Sequence, residues 1–135
     1  MTDINLTLIL LHDTFAICQL ETNSEIPEWA LVGEFFSITR TADELSIVCR
    51  QRDVLEGIRC EEDYRCFKVK GPLDFALTGI LDSLTTPLAQ GGVSVLALST
   101  FDTDYLLVKE DTLESAVGAL KNAGHQVIQQ AAASN

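Results

Sequence analysis

Basic residues are scarce in this chain of 135 residues: 9 Lys and Arg stand against 20 Asp and Glu, giving a formal charge of −11 and a pI near 4.4. Binding to a nucleic-acid backbone needs a basic patch that displaces counterions, so no nucleic-acid partner is expected, and an anionic membrane surface is disfavoured for the same reason. Long apolar runs are missing as well. The longest near the start, residues 6–11, closes at His12-Asp13, far short of the roughly 20 residues a bilayer crossing needs. The opening Met-Thr-Asp-Ile-Asn carries an acid where a signal peptide carries bases, which predicts a cytoplasmic protein without a membrane partner.

Cysteine pairing motifs are absent too. Cys18, Cys49, Cys60 and Cys66 form no C-x-x-C, so they are expected to be reduced structural thiols, three of them (Cys18, Cys49, Cys66) on strand-like segments. The sequence holds no H-E-x-x-H, no phosphate-cradling G-x-x-x-x-G-K-[ST] and no G-x-S-x-G. His12 and His125 have no neighbouring nucleophile, and His12-Asp13 reads as a turn between strands. The acids Glu56, Glu61, Glu62 and Asp63 read as a solvated linker rather than a metal site, and Trp29 as a core plug. No enzyme, cofactor or metal is therefore expected.

What is present is core material, with 47% of residues hydrophobic, and a clear order of elements. Alternation and β-branched content predict strands near 6–11, 15–21, 35–40, 45–51, 65–70, 93–99 and 105–109, with a short last one at 125–128. One helix is predicted to start after Gly71-Pro72 and to bury Phe75, Leu77, Ile80, Leu81, Leu84 and Leu88 before Gly91-Gly92. A second spans 112–122 and stops at Gly124. Residues 65–128 thus read strand, helix, strand, strand, helix, strand, the ferredoxin-like βαββαβ order of an α+β fold, with an antiparallel sheet and both helices on one face.

The first half reads as a degenerate copy. An offset of 60 residues aligns 36–39 with 96–99 and 45–48 with 105–108, and pairs the acidic turns 41–44 and 101–104. An offset of 52 aligns Phe15 with Phe67 and Ile17 with Val69, which shortens the first copy where its first helix should stand, near 27–31; residues 53–62 make a poor second helix. The expected organisation is a degenerate first module at 1–63, a second module at 64–129, and a frayed tail at 130–135. Strand 6–11 has no counterpart in the second copy.

Two strings carry a family likeness: Val69-Lys70-Gly71-Pro72-Leu73-Asp74-Phe75-Ala76-Leu77-Thr78-Gly79-Ile80-Leu81 and Ser99-Thr100-Phe101-Asp102-Thr103-Asp104-Tyr105-Leu106-Leu107-Val108. With 35–49 as the weaker first-half match, the chain resembles small tandem ACT-domain proteins, and is similar to the regulatory ACT domains of aspartate kinases and the ACT modules of the cytosolic arginine sensor. The resemblance implies two ACT-type modules side by side, a free amino acid bound at a module interface, and a homodimer.

Residue chemistry gives that implication candidate groups. Gly71 to Gly79 enters the predicted helix, whose free N–H groups and dipole suit a carboxylate, so the backbone of Asp74, Phe75, Ala76 and Leu77 is a candidate seat. The Asp74 side chain is equally a first-turn cap. Gly79, inside the predicted helix at a cost of about 1 kcal/mol against Ala, points to close approach of a ligand or of another helix. Ser99, Thr100, Phe101, Asp102, Thr103 and Asp104 join two strands; they are either a hairpin loop bonded to itself or a loop that receives a ligand ammonium. Ser37 and Thr39 either face the same cleft or are solvent-facing strand residues. The function expected is non-catalytic amino-acid binding and sensing, transmitted to a second copy or to a regulated protein partner. The alternative is a constitutive interaction module that has lost its ligand.

Overall fold

The computed structural model describes residues 4–73 and 79–131. Strands β1 (Thr7–Leu20), β2 (Ser37–Arg40), β3 (Leu45–Arg50), β4 (Arg59–Val69), β5 (Leu96–Ser99), β6 (Asp104–Lys109) and β7 (Gln126–Gln129) alternate with helices α1 (Ile80–Gln90) and α2 (Leu113–Asn122). Three short 3-10 turns stand at Glu28–Leu31, Gln51–Asp53 and Glu110–Thr112. The chain forms two compact units: the first is Asp13–Tyr64, the second joins the segment up to His12 with everything from Arg65 onward.

In the second unit the hydrogen-bonded strand order is β5, β6, β4, β1, β7. Leu8 and Leu10 of β1, Phe67 and Val69 of β4, and Leu106 and Val108 of β6 share one core with Leu84 and Leu88 of α1 and Ala116 and Leu120 of α2. Both helices therefore cover one face, and their four-residue spacing of apolar side chains is what puts them there. In the first unit the order is β2, β3, β1, β4, over a core of Ala16, Cys18, Ala30, Leu45, Ile47 and Cys49. The chain is α+β, built of ferredoxin-like modules as expected.

Two strand expectations are corrected. No turn interrupts β1 at His12-Asp13; the strand runs straight through for 14 residues. Long-range partners hold both residues in the strand. The His12 N–H donates to Gln130 Oε1 (3.1 Å), and the Asp13 carboxylate lies 3.9 Å from the Arg52 guanidinium. The beginning of β1 pairs parallel to β7, with Thr7 opposite Gln126 and Leu10 opposite Gln129, so the sheet is not wholly antiparallel. This segment is an insertion between β4 and β7. Gln130, at the start of the expected tail, donates its N–H to the Leu10 carbonyl (2.9 Å); residues 132–135 lie outside the described ones.

The second correction concerns 53–62. Residues 53–62, a poor second helix in the sequence, form none: a turn at Gln51–Asp53 and another at 56–57 lead into strand from Arg59 onward, so Glu61, Glu62 and Asp63 belong to β4 rather than to a linker. The reason is one dihedral. Val54 leaves its turn extended (ψ 129°), whereas Leu113 leaves the equivalent turn at Glu110–Thr112 in helical geometry (ψ −46°). Asp63 takes a left-handed φ of 66°, and the Gln51 side chain clamps it, accepting from the Asp63 N–H (2.6 Å) and donating to its carboxylate (3.0 Å).

The repeat is tighter than the sequence alignment, and its offset is 59 rather than 60. Ser37–Arg40 corresponds to Leu96–Ser99, Leu45–Arg50 to Asp104–Lys109 and Gln51–Asp53 to Glu110–Thr112. The true counterpart of the turn after Arg40 starts at Thr100. In both turns the Thr N–H donates to the carbonyl three residues on, Thr41 to Glu44 (2.9 Å) and Thr100 to Thr103 (2.8 Å), and its hydroxyl accepts from the N–H of the same residue. The other offset, 52, matches the starts of the two units, Asp13 and Arg65.

His125 answers a defect in α1. Pro87 sits inside that helix and has no N–H to donate to the carbonyl four residues back, Ser83. His125 is buried and takes that carbonyl through Nε2 at 2.8 Å, while Nδ1 accepts from the Leu6 N–H at 3.1 Å. Those two bonds fix the neutral tautomer with the proton on Nε2. His125→Phe, which orphans two backbone groups, is expected to cost about 1–3 kcal/mol by urea unfolding. In a Pro87→Ala background, where residue 87 donates to Ser83 itself, the same substitution is expected to cost less, and a double-mutant cycle measures the difference.

All four cysteines are free. Burial pushes the Cys66 thiol from its ordinary 9.0 up to about 12. Because the raised value belongs to the folded state, stability present below pH 9.0 is lost as pH climbs towards 12. Urea titrations across that window should show the decline, and Cys66→Ala should lessen it.

Candidate functional site

The β5–β6 turn is the centre of the candidate groups in the second unit, and its order begins in its own sequence. Thr100 closes the turn on itself through its N–H and hydroxyl, both directed to the Thr103 carbonyl (2.8 and 3.1 Å). The Ser99 hydroxyl donates to the Asp104 carboxylate at 2.6 Å. Thr103 is buried and donates its hydroxyl to the Val69 carbonyl at the end of β4. The turn is also tied to the residues after β4, since the Leu73 N–H donates to the Asp102 carbonyl (2.8 Å).

Gly71 makes that junction possible. A Cβ there would stand 3.0 Å from the Asp102 carbonyl oxygen and 3.2 Å from the Thr103 Cβ. The sequence marks Gly71-Pro72 only as the start of a helix; its role in the structure is close approach to the β5–β6 turn. The helix itself starts later. Gly79 is the residue before α1, with a left-handed φ of 79°, and not a residue of the helix interior. Glycine fits that backbone without the steric cost a side chain would bring. Asp74, Phe75, Ala76 and Leu77 lie outside the described residues.

The fold thus brings the 99–104 turn against residues 69–73 and uses most of its polar groups internally. The hydroxyls of Ser99, Thr100 and Thr103 and the Asp104 carboxylate all have partners within the hairpin or on β4. Ser99, Thr100, Phe101 and Asp102 are all exposed; of these, Asp102 and Phe101, which is 85% exposed, offer a carboxylate and a ring that the hairpin's own side-chain hydrogen bonds do not use. Ser37 and Thr39 belong to the first unit, on β2, opposite Val48 and Ser46; Ser37 is half-buried and Thr39 exposed. A separate open groove of about 650 Å³ lies between α1 and the chain leading to β5, lined by Thr85, Thr86, Ala89 and 92–95. It contains none of the candidate residues. Among the described residues no cluster of His, Cys, Asp and Glu is arranged to hold a metal ion, and no helix is long and apolar enough to cross a membrane.

In the first unit, three thiols share the core region. The Cys18 thiol is raised, first by its hydrogen bond with Cys49 and then by burial, while that same bond lowers Cys49. Both are core side chains, with half-buried Cys60 packed beside them.

The turn makes a direct test available. Thr103→Val, which keeps the shape but leaves the Val69 carbonyl without its buried donor, is expected to cost about 1–2 kcal/mol. Phe101→Ala should cost less than Thr103→Val, since the Phe101 side chain is 85% exposed whereas Thr103 is buried. Urea unfolding of the two variants side by side decides both.

Comparison with known proteins places this geometry. An ACT-domain family model matches residues 59–122, and a model of an N-terminal domain matches residues 13–56. The crystal structure of a protein from Agobacterium tumefaciens is similar over 98% of both chains, at 39% identity and a TM-score of 0.91. Subunit 1 of the cytosolic arginine sensor for mTORC1 from Bos taurus is 30% identical over 64% of this chain, and the chain spans 30% of that relative's length. The regulatory subunit of aspartate kinase from Thermus flavus, at 12% identity, shares the fold with a TM-score of 0.59 over 91% of this chain and 99% of its own. The ACT-domain match, the arginine-sensor relative and the fold shared with the aspartate kinase regulatory subunit agree in one region: residues 59–122 match an ACT domain.

Proposed function

We propose that this ACT-domain protein is a regulatory binding protein for a small free amino acid, with no catalytic activity of its own, acting in the cytoplasm through a second copy or a regulated partner. The observation that carries the reading is the β5–β6 turn, hydrogen-bonded to residues 69–73 with Asp102 and Phe101 exposed at its tip. The relatives named for arginine sensing and for aspartate kinase regulation support it.

In this reading Asp102 takes the ligand ammonium by charge-assisted hydrogen bonds, and main-chain N–H groups between Asp74 and the first turn of α1 take the carboxylate. Phe101 closes over the side chain. Because the turn and the 69–73 segment are joined by the Leu73 to Asp102 bond, a ligand touching both favours the arrangement in which they meet. Its effect on a partner then equals its difference in affinity for the two arrangements.

A thermal-shift panel of the twenty amino acids tests this. At about 100 times the dissociation constant a ligand adds roughly 2.7 kcal/mol, a shift of several degrees. One or a few amino acids should give it, and Asp102→Asn should weaken it about tenfold while leaving the unliganded midpoint unchanged. A flat panel well above physiological concentrations would favour the constitutive interaction module, a reading to which the internal use of the Ser99, Thr100 and Thr103 hydroxyls lends weight.

A further inference from the structure

Charge and apolar exposure coincide in the first unit. Of the chain's residues, 12 of the 20 acids but only 4 of the 9 bases fall within 13–64, so that this unit holds −8 of the net −11. Those four bases are already engaged or stand outside the stretch at issue: Arg40 donates to the Ser24 carbonyl (2.7 Å), Arg50 pairs with Asp53 (2.6 Å), Arg52 faces Asp13 (3.9 Å), and Arg59 lies on β4. No Lys or Arg occurs before Arg40.

Within that base-free stretch, residues 26–36 expose four large apolar side chains: Ile26 (43%), Leu31 (50%), Val32 (40%) and Phe36 (38%). Glu21, Glu25, Glu28 and Glu34 are exposed among and beside them. The segment is anchored at several points. Ala30 is fully buried, Phe35 packs edge-on against Phe15 with ring centroids 5.6 Å apart, and the Ala30 N–H donates to the Pro27 carbonyl (3.1 Å). It occupies the place that α1 holds in the second unit, with a four-residue 3-10 turn instead of an 11-residue helix.

We propose that residues 26–36 form a docking surface for an amphipathic, basic segment of a partner protein. Clustered apolar exposure rimmed by charge marks an interaction surface, and anchoring at Ala30 and Phe35 means that little order has to be gained on binding. Charge selects the occupant. A second copy would set four glutamates against another four, a repulsion that an apolar contact of this size has to overcome, whereas Lys and Arg flanking an apolar helix face would complement the rim. The surface belongs to the first unit and the β5–β6 turn to the second, and its test does not draw on amino-acid binding.

Trp29, the chain's single tryptophan, lies in the segment and reports on it. The experiment titrates the full chain with a synthetic helix of about five turns carrying Leu on one face and Lys on the other, following Trp29 emission and calorimetric heat. Saturable binding with a Trp29 change is expected, weakened about tenfold by Leu31→Ser with Val32→Ser, and weakened with a reduced salt dependence by Glu21→Gln, Glu25→Gln and Glu28→Gln together. Glu110→Gln with Asp111→Asn, in the second unit, should change neither. Equal binding by the Leu31/Val32 variant, an equal loss in the Glu110/Asp111 control, no Trp29 response at saturation, or concentration-dependent self-association that the Leu31/Val32 variant abolishes would each overturn the proposal.

Discussion

The second unit turns on one proline and the imidazole that answers it. Pro87 gives α1 a carbonyl with no helical donor, and a buried carbonyl without a partner is costly. His125 supplies the missing N–H, and in doing so its other nitrogen becomes the acceptor for Leu6, at the entrance of β1. A helix, the lead into the inserted strand and the start of β7 thereby share one ring. Because the ring must donate on one side and accept on the other, neither lysine nor a hydrocarbon can replace it, and the geometry of three elements follows from a single tautomer.

The two modules show which parts of a ferredoxin-like unit are cheap to vary. The hairpin and the 3-10 turn after it are repeated at a constant offset, down to the threonine that closes each loop. The helices are not repeated. Where Val54 leaves its turn extended, the first unit fills its core with Trp29, Val54 and Ile58 around Ala30, packing side chains of loops where the second unit packs α1 and α2. The sheet face must be covered, but it tolerates cover without regular structure.

Much of this was legible in the residues. Periodicity located nearly every strand and both helices, because strong amphipathic patterns report which face is buried. The Phe15 and Phe67 match aligned the early strands of the two copies at an offset of 52. What stayed illegible was local chemistry that periodicity does not encode. Polar His12-Asp13 resembles a turn until the long-range partners Gln130 and Arg52 are known, and Gly79 resembles a helical residue until its positive φ is seen. An alignment by polarity pairs Thr41 with Phe101; the hydroxyl bonds pair it with Thr100. For the candidate site, the sequence shows how many hydroxyls the 99–104 loop holds but not that they are spent on Val69, Thr103 and Asp104, with Asp102 and Phe101 exposed at its tip.

The parallel pairing of β1 with β7 has a kinetic consequence. Leu6 and His125 lie 119 residues apart along the chain, while each hairpin closes across a loop of a few residues. Loop-closure entropy makes the hairpins early and the joining of the chain's two ends late. Until that last pairing forms, β7 has no neighbouring strand and the Leu6 N–H has no acceptor on His125, so the ring that answers Pro87 completes its second bond only as the final strand pairing closes.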